Sequence, residues 1–379
     1  MQRAIVHMDL DTFFVSCVRL EHSALNNVPV IVGGGERGVV ASCSYEARKF
    51  GVRSAMPIRM ALKLCPEARV VKGDYDLFSK QSRSVTEIIA EKAPVLEKAS
   101  IDEFYLDLSG MDRFFGCYQW TTEIAETITR ETGLPISFTL STNKTVSKIG
   151  TSEAKPIGRL EISSADVQPF LNPLSVRKIP MVGDTTFRLL SRIGIRTIRT
   201  LSEMPVEVLQ QMIGKNGTEL WKKANGIDET PVIPYAEKKS ISKEHTFNED
   251  TIDTQAMRSL ISGMVEQLAF QLRQEKLLTS TITVKIRYAN FDTETRQCRI
   301  AATTVDHTLL KYAMELFTKL YTRRMRLRLI GVKFSGLTHG CHQMNLFEDT
   351  EELMNLYQSM DKIKKRFGAT AVSRASGFF

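Results

Sequence analysis

The chain has 379 residues, with 51 Lys+Arg against 43 Asp+Glu for a net charge of +8, and 42% of it is hydrophobic. That length exceeds one ordinary core and predicts two to four domains of roughly 100–200 residues each. No apolar run approaches the roughly 18 residues that a membrane span requires, and the first residues run directly into a strand instead of a signal sequence, so the expectation is a soluble, cytoplasmic protein.

In chain order, Ile5, Val6 and Met8 supply the apolar character of a short buried strand that ends at Asp9, Leu10 and Asp11. Phe13 and Phe14 follow, and packing in a core accounts for either ring. Tyr45 and Arg48 lie three apart and share one face of a predicted helix, where the guanidinium offers a planar fork of donors to phosphate. Between Ala99 and Leu108, the pair Asp102 and Glu103 precedes a strand in which Phe104, Leu106 and Leu108 alternate with Tyr105 and Asp107. Two such strands side by side would bring Asp9, Asp102 and Glu103 together. Three carboxylates at one point repel each other unless a cation lies between them, and an all-oxygen donor set favours Mg²⁺. A site of that kind suits two-metal phosphoryl transfer. Taken singly, each acid reads equally well as a cap at a turn. Lys155, before Pro156, adds a compact charge from another segment.

Residues 166–232 read as helical, with Gly183, Gly194, Gly214 and Gly217 at the expected breaks, and Ile179 to Gly183 suggests a helix–hairpin–helix turn whose backbone N–H groups can bind phosphate. Residues 234–239 form the expected linker. The charge excess is concentrated beyond it: residues 235–342 hold 17 Lys+Arg against 11 Asp+Glu, a net of +6, the footprint of a polyanion partner. Periodicity there gives a βαββαβ order, with strands near 240–247, 281–288, 299–304 and 328–334 and helices near 255–277 and 307–323. Lys285 and Arg287 would project from the sheet face opposite the helices, able to follow a phosphate backbone. A further helix is expected over 357–367. The six cysteines lack a CxxC spacing, which predicts reduced, mostly buried thiols, and His339, Cys341 and His342 read as an ordinary loop.

Three segments resemble, in order, the motifs of Y-family DNA polymerases of the bacterial DNA polymerase IV type: residues 44–52 the fingers motif, 100–107 the palm motif, and 143–158 the third nucleotide-site segment. The resemblance covers nearly the whole chain. It implies an α+β multidomain right-hand polymerase, with a palm over 1–10 and 75–165, fingers over 11–74, a helical thumb over 166–233 and a little finger over 240–342. It implies DNA-directed synthesis of the translesion class from dNTPs, with two Mg²⁺ ions held by Asp9, Asp102, Glu103 and the Leu10 carbonyl. Ser42, Tyr45, Arg48 and Lys155 would receive the triphosphate, Phe14 would be the steric gate against a ribose 2′-OH, and Phe13 would pack in the core. Asp11 keeps a structural role. The sequence departs from the usual pattern at Phe104 and at Thr151 to Glu153, which bears on pocket shape. Gln343, Leu346 and Phe347, in a run like the QLxLF peptide, would bind a sliding clamp, and 32 further residues form a tail. The implied partners are primer-template DNA, dNTP and that clamp, with the protein a monomer. No second carboxylate constellation suggests a proofreading exonuclease. A nucleotidyl cyclase with a related palm is the alternative, although it has no need of the basic module; a non-catalytic DNA-binding relative would have no need of all three acids.

Overall fold

The computed structural model describes residues 3–35, 37–111, 116–234, 237–340, 350–368 and 371–372. The chain divides into a unit over Met1–Ala236 and another over Glu237–Phe379.

The first unit opens with β1 (Ile5–Leu10) and α1 (Phe13–Glu21), then β2 (Val30–Gly33), β3 (Val40–Cys43), α2 (Tyr45–Lys49), α3 (Ile58–Leu64) and β4 (Arg69–Val71). It continues through α4 (Tyr75–Lys92), β5 (Val95–Lys98), β6 (Glu103–Asp107), α5 (Cys117–Thr132), β7 (Ile136–Ser141), α6 (Lys144–Ala154) and β8 (Arg159–Glu161). Short helices complete it: α7 (Val167–Leu171), α8 (Asp184–Arg192), α9 (Ile198–Ser202), α10 (Val206–Ile213) and α11 (Lys215–Ala224).

Among the described residues the main sheet runs β5-β6-β1-β7-β8, with β1 antiparallel to both neighbours. Ile5, Val6, His7 and Met8 are all buried, an unbroken run that suits a central strand covered on both faces. Val6, Met8, Phe104, Leu106 and Phe138 share one core with Phe78, Val85 and Ile89 of α4 and Ile124 and Ile128 of α5. The last two sets recur at helical spacing, and Asp74 caps α4 by accepting from the Asp76 and Leu77 amides at 2.9 and 3.2 Å. Opposite, α6 starts at Asn143, whose side chain accepts from the Val146 amide at 3.0 Å. Val146 and Ile149 of α6 pack with Leu171, Leu190, Leu201 and Leu209, so the helical segment shares its core with α6. The small sheet β3-β2-β4 separates two clusters: Val30 and Val32 join the core of the main sheet, and Ile31 faces Val40, Ala47 and Ala61.

Gly183 and Gly194 flank α8, and Gly214 lies between α10 and α11, as expected. Gly217 corrects the expectation. It lies inside α11, and a Cβ there would come within 2.1 Å of the Leu209 carbonyl oxygen, so glycine serves the close approach of two helices and not a break.

The second unit has the βαββαβ order: β9 (Ser240–Thr251), α12 (Thr254–Gln274), β10 (Leu277–Tyr288), β11 (Thr293–Thr303), α13 (Asp306–Leu320) and β12 (Leu327–His339). Its antiparallel sheet runs β11-β10-β12-β9. Ile282, Val284, Ile286, Ile330 and Phe334 bury one face against Met257, Ile261 and Val265 of α12 and Leu309 and Phe317 of α13. Lys285 and Arg287 lie on the other face, half-buried. They are not free: Lys285 Nζ pairs with Glu244 at 2.9 Å, and Arg287 Nε donates to Thr293 Oγ1 at 2.8 Å. Gly331 stands between Lys285 and Glu244 in the register and has no side chain to keep them apart.

The final helix, α14 (Thr350–Phe367), begins earlier than periodicity suggested. It is fastened by Arg273, whose guanidinium meets Asp306 at 2.5 Å and Asp361 at 2.8 Å and lies 5.0 Å from the Tyr357 ring centroid. Cys17, Cys43, Cys65 and Cys117 are buried, and Cys298 is half-buried. Gln343, Leu346 and Phe347, with Cys341 and His342, lie outside the described residues. No described helix is long and apolar enough to cross a membrane.

Candidate active site

The strand pairing places Asp9 directly opposite Glu103, and the Leu10 amide donates to the Asp102 carbonyl at 3.0 Å. The acids of two distant segments therefore share one end of the sheet. Each is already engaged. Lys148 Nζ lies 2.6 Å from both Glu103 oxygens, Lys155 Nζ lies 2.5 Å from Asp9 Oδ1, and Ser100 Oγ donates to Asp102 Oδ1 at 2.5 Å. Burial pushes the Asp9 carboxyl up to about 6; the Lys155 ammonium opposes this, and Glu103 and Asp102 add to it. As the side chains stand, no group of three acidic, His or Cys side chains among the described residues closes on one point.

Asp11 is the structural acid expected, with more partners than the sequence suggested. It is 1% exposed, and Oδ2 accepts from Ser137 Oγ at 2.8 Å and from the Ile157 amide at 2.7 Å. Oδ1 accepts from Tyr45 Oη at 3.3 Å. One carboxylate thus ties β1, β7, the loop after Lys155 and α2 together. Burial raises the Tyr45 phenol, as does the Asp11 charge. The Arg48 guanidinium carbon stands 4.9 Å from the Tyr45 ring centroid, so these two residues do share a face. Ser42 is buried on the neighbouring β3.

Phe13 is 2% exposed in the core under the main sheet, whereas Phe14 lies at its margin, stacked on Phe78 with centroids 4.4 Å apart and 6.1 Å from Tyr75. Phe104 is fully buried in the core against which Phe14 packs. Thr151 is also buried, donating to the His7 carbonyl at 3.0 Å. His7, two residues before Asp9, lies 4.7 Å from the Tyr105 ring, and both its ring nitrogens are buried without a partner. Burial holds its pKa well below the usual value, and Lys148, Lys155 and Lys144 push the same way.

Lys148 and Phe78 are the contributors that sequence reasoning missed. The available signals were the spacing of Lys144 and Lys148, four apart on one helix face, and an aromatic one turn into the helix that follows the small sheet.

Comparison with known proteins supplies what geometry alone leaves open. The impB/mucB/samB family model matches residues 8–152, its C-terminal domain model residues 238–346, and a DNA polymerase-iota thumb domain model residues 177–228. The chain is 34% identical to a DNA polymerase IV of Dehalococcoides mccartyi over 375 residues, covering 98% of this chain and 96% of that one. It is 35% identical over 355 residues to DNA polymerase IV 2 of Methanosarcina mazei, covering 92% and 96%. A Y-family DNA polymerase chimera superposes with a TM-score of 0.80 at 24% identity over 89% of this chain and all of its own, which establishes the fold. DinB from Sulfolobus solfataricus superposes at 0.62 and 25% over the same shares. With paired strands carrying the acids, a βαββαβ module downstream and relatives matched from end to end, the chain belongs to the DNA polymerase IV branch of the Y-family DNA polymerases.

Proposed function

We propose that Asp9, Asp102 and Glu103, with the Leu10 carbonyl, hold two Mg²⁺ ions for nucleotidyl transfer, and that Ser42, Tyr45, Arg48 and Lys155 receive the incoming triphosphate. The family makes the chain a DNA-directed DNA polymerase of the translesion class. The cyclase alternative has no support. The observation that carries the site is the register of Asp9 against Glu103, with Asp102 bonded through its carbonyl to the residue after Asp9.

The donor set fits the ions, being all oxygen with three carboxyl groups, of which Asp9 and Glu103 are paired with ammonium groups. Bound there, Mg²⁺ would lower the pKa of the primer 3′-OH and offset the charge on departing pyrophosphate. Lys155 can exchange Asp9 for a phosphate oxygen, and Lys148 must release Glu103 for the acids to act together. Arg48, braced on Tyr45, offers its fork to the triphosphate. Phe14 is backed by Phe78, so a ribose 2′-OH meets a wall that cannot retreat.

The basic second unit would follow the duplex through Lys285 and Arg287, and Gln343, Leu346 and Phe347 would anchor a sliding clamp. We expect a cytoplasmic monomer. The test is Asp102→Ala and Glu103→Ala: both should abolish incorporation while primer-template binding survives, and near-normal extension by either would remove the assignment. For the clamp, alanine at all three peptide positions should erase stimulation on clamp-loaded templates and spare synthesis on short primers.

A further inference from the structure

The palm holds a second set of polar donors that this reading leaves unused. A shallow pocket between α4 and the β5–β6 edge is lined by Ser79, Ser82, Arg83, Thr86, Lys98 and Ser100. Most of its hydroxyls are committed. Ser82 Oγ donates to the Ile101 carbonyl at 2.5 Å, Thr86 Oγ1 to the Ser82 carbonyl at 2.6 Å, and Ser100 Oγ to Asp102. The cations are less engaged. Lys98 Nζ donates to Thr86 Oγ1 at 3.0 Å and lies 5.8 Å from the Phe104 ring centroid. Among the described residues Arg83 has no carboxylate partner, and none of the pocket's lining residues is acidic. Burial depresses the Lys98 pKa, and the nearby Arg83 charge depresses it further. Two like charges facing one recess favour an anion between them, and a guanidinium beside an ammonium suits the oxygens of a phosphate.

We infer that Arg83 and Lys98, with the Ser79 hydroxyl, form a subsite for a backbone phosphate of the primer strand near its 3′ end. The inference rests on the assignment of Asp9, Asp102 and Glu103 to the primer terminus. Ile101 is the physical link: its carbonyl closes the pocket wall through Ser82, and the next residue is Asp102. The proposed triphosphate ligands approach the acids elsewhere, Lys155 at Asp9 and Tyr45 at Asp11. A strand ending at Asp102 and Glu103 would pass its last linkages by the pocket. Holding one of them would align the 3′-OH without reading sequence.

The test uses primers with one neutral methylphosphonate at the first, second or third linkage from the 3′ end. The full chain would be compared with Arg83→Gln/Lys98→Gln and with the charge-retaining Arg83→Lys/Lys98→Arg. In wild type one linkage should lower kcat/KM roughly tenfold, as expected for a lost hydrogen bond to a charged group. The Gln pair should be slower by a similar factor on unmodified primer and lose nothing more at that linkage, and the charge-retaining pair should regain sensitivity. The salt slope of DNA binding should also fall by roughly one in the Gln pair. Methylphosphonate effects equal in wild type and Gln pair at every linkage, including none in either, overturn the subsite. So does a Gln pair that only raises KM for dNTP, since the pocket then serves the triphosphate. Failure of wild type to extend the unmodified primer would instead refute the polymerase assignment.

Discussion

Gly150 lies within α6 where that helix crosses β7. A Cβ added there would lie 2.6 Å from Thr139 Cγ2, 2.9 Å from Thr139 Oγ1 and 3.0 Å from Ile162 Cδ1. Thr139 is fully buried and β-branched, so it has little freedom to turn aside. Overpacking of this kind costs about 1–3 kcal/mol, and the helix regains about 1 kcal/mol when alanine replaces glycine. Gly150→Ala should therefore destabilise the first unit by up to ~2 kcal/mol. Thr139→Ala offers relief, because it removes both close atoms, and its hydroxyl has no hydrogen-bond partner to orphan. The double variant should be more stable than the sum of the single changes by ~1 kcal/mol or more. Urea denaturation read by tryptophan fluorescence isolates the effect, since the two tryptophans, Trp120 and Trp221, both belong to the first unit. Primer extension should fall in parallel, because α6 carries Lys148 and ends at Lys155. Additive single effects, or a stabilised Gly150→Ala, would refute the claim that α6 is seated by a missing side chain.

Phe14→Ala should admit ribonucleotides, and Phe78→Ala should do so in part by letting the Phe14 ring retreat; an unchanged deoxy-to-ribo ratio in both places the gate elsewhere. Arg273→Met leaves Asp306 and Asp361 without their shared cation and should cost the second unit ~3–5 kcal/mol, with faster amide exchange through α14; unaltered exchange would deny that Arg273 fastens the helix. In ion-free buffer Asp9 holds its proton up to about pH 6 when folded, and only below a pKa of 3.8 when unfolded. The folded state thus binds the proton more tightly, and the first unit should lose up to ~3 kcal/mol as pH rises from 4 to 7. Asp9→Asn should flatten that part of the urea-midpoint profile; identical slopes would contradict the buried charge.

The architecture was legible wherever a short periodic signal decides it. Ile5 to Met8 and Phe104 to Leu108 announce their strands, and the little-finger pattern reproduces its element order. The burial of Phe13 in the core was likewise expected from the family pattern. Contacts made across the fold were not. Lys148 meets Glu103 only because α6 packs across β7 and β1, and Asp11 becomes a junction because three other segments bring it donors. Lys285 looked free because its partner, Glu244, sits two strands away, across a glycine. Gly217 looked like a break because a missing side chain is written the same way at a turn and at a close helix crossing.

On the proposed assignment, the ammonium groups on Asp9 and Glu103 would make the acids behave as an ion exchanger. Lys155 and Lys148 act as resident counterions, so the palm can stay folded with its acids unrepelled when divalent ions are scarce. A Lys155 that turns to a triphosphate leaves Asp9 bare, raising its affinity for a cation at that moment. By linkage, a cation on Asp9 frees Lys155 for phosphate. Nucleotide and ion would thus be admitted as a matched pair, and a deficit of either would leave the site closed by its own lysines.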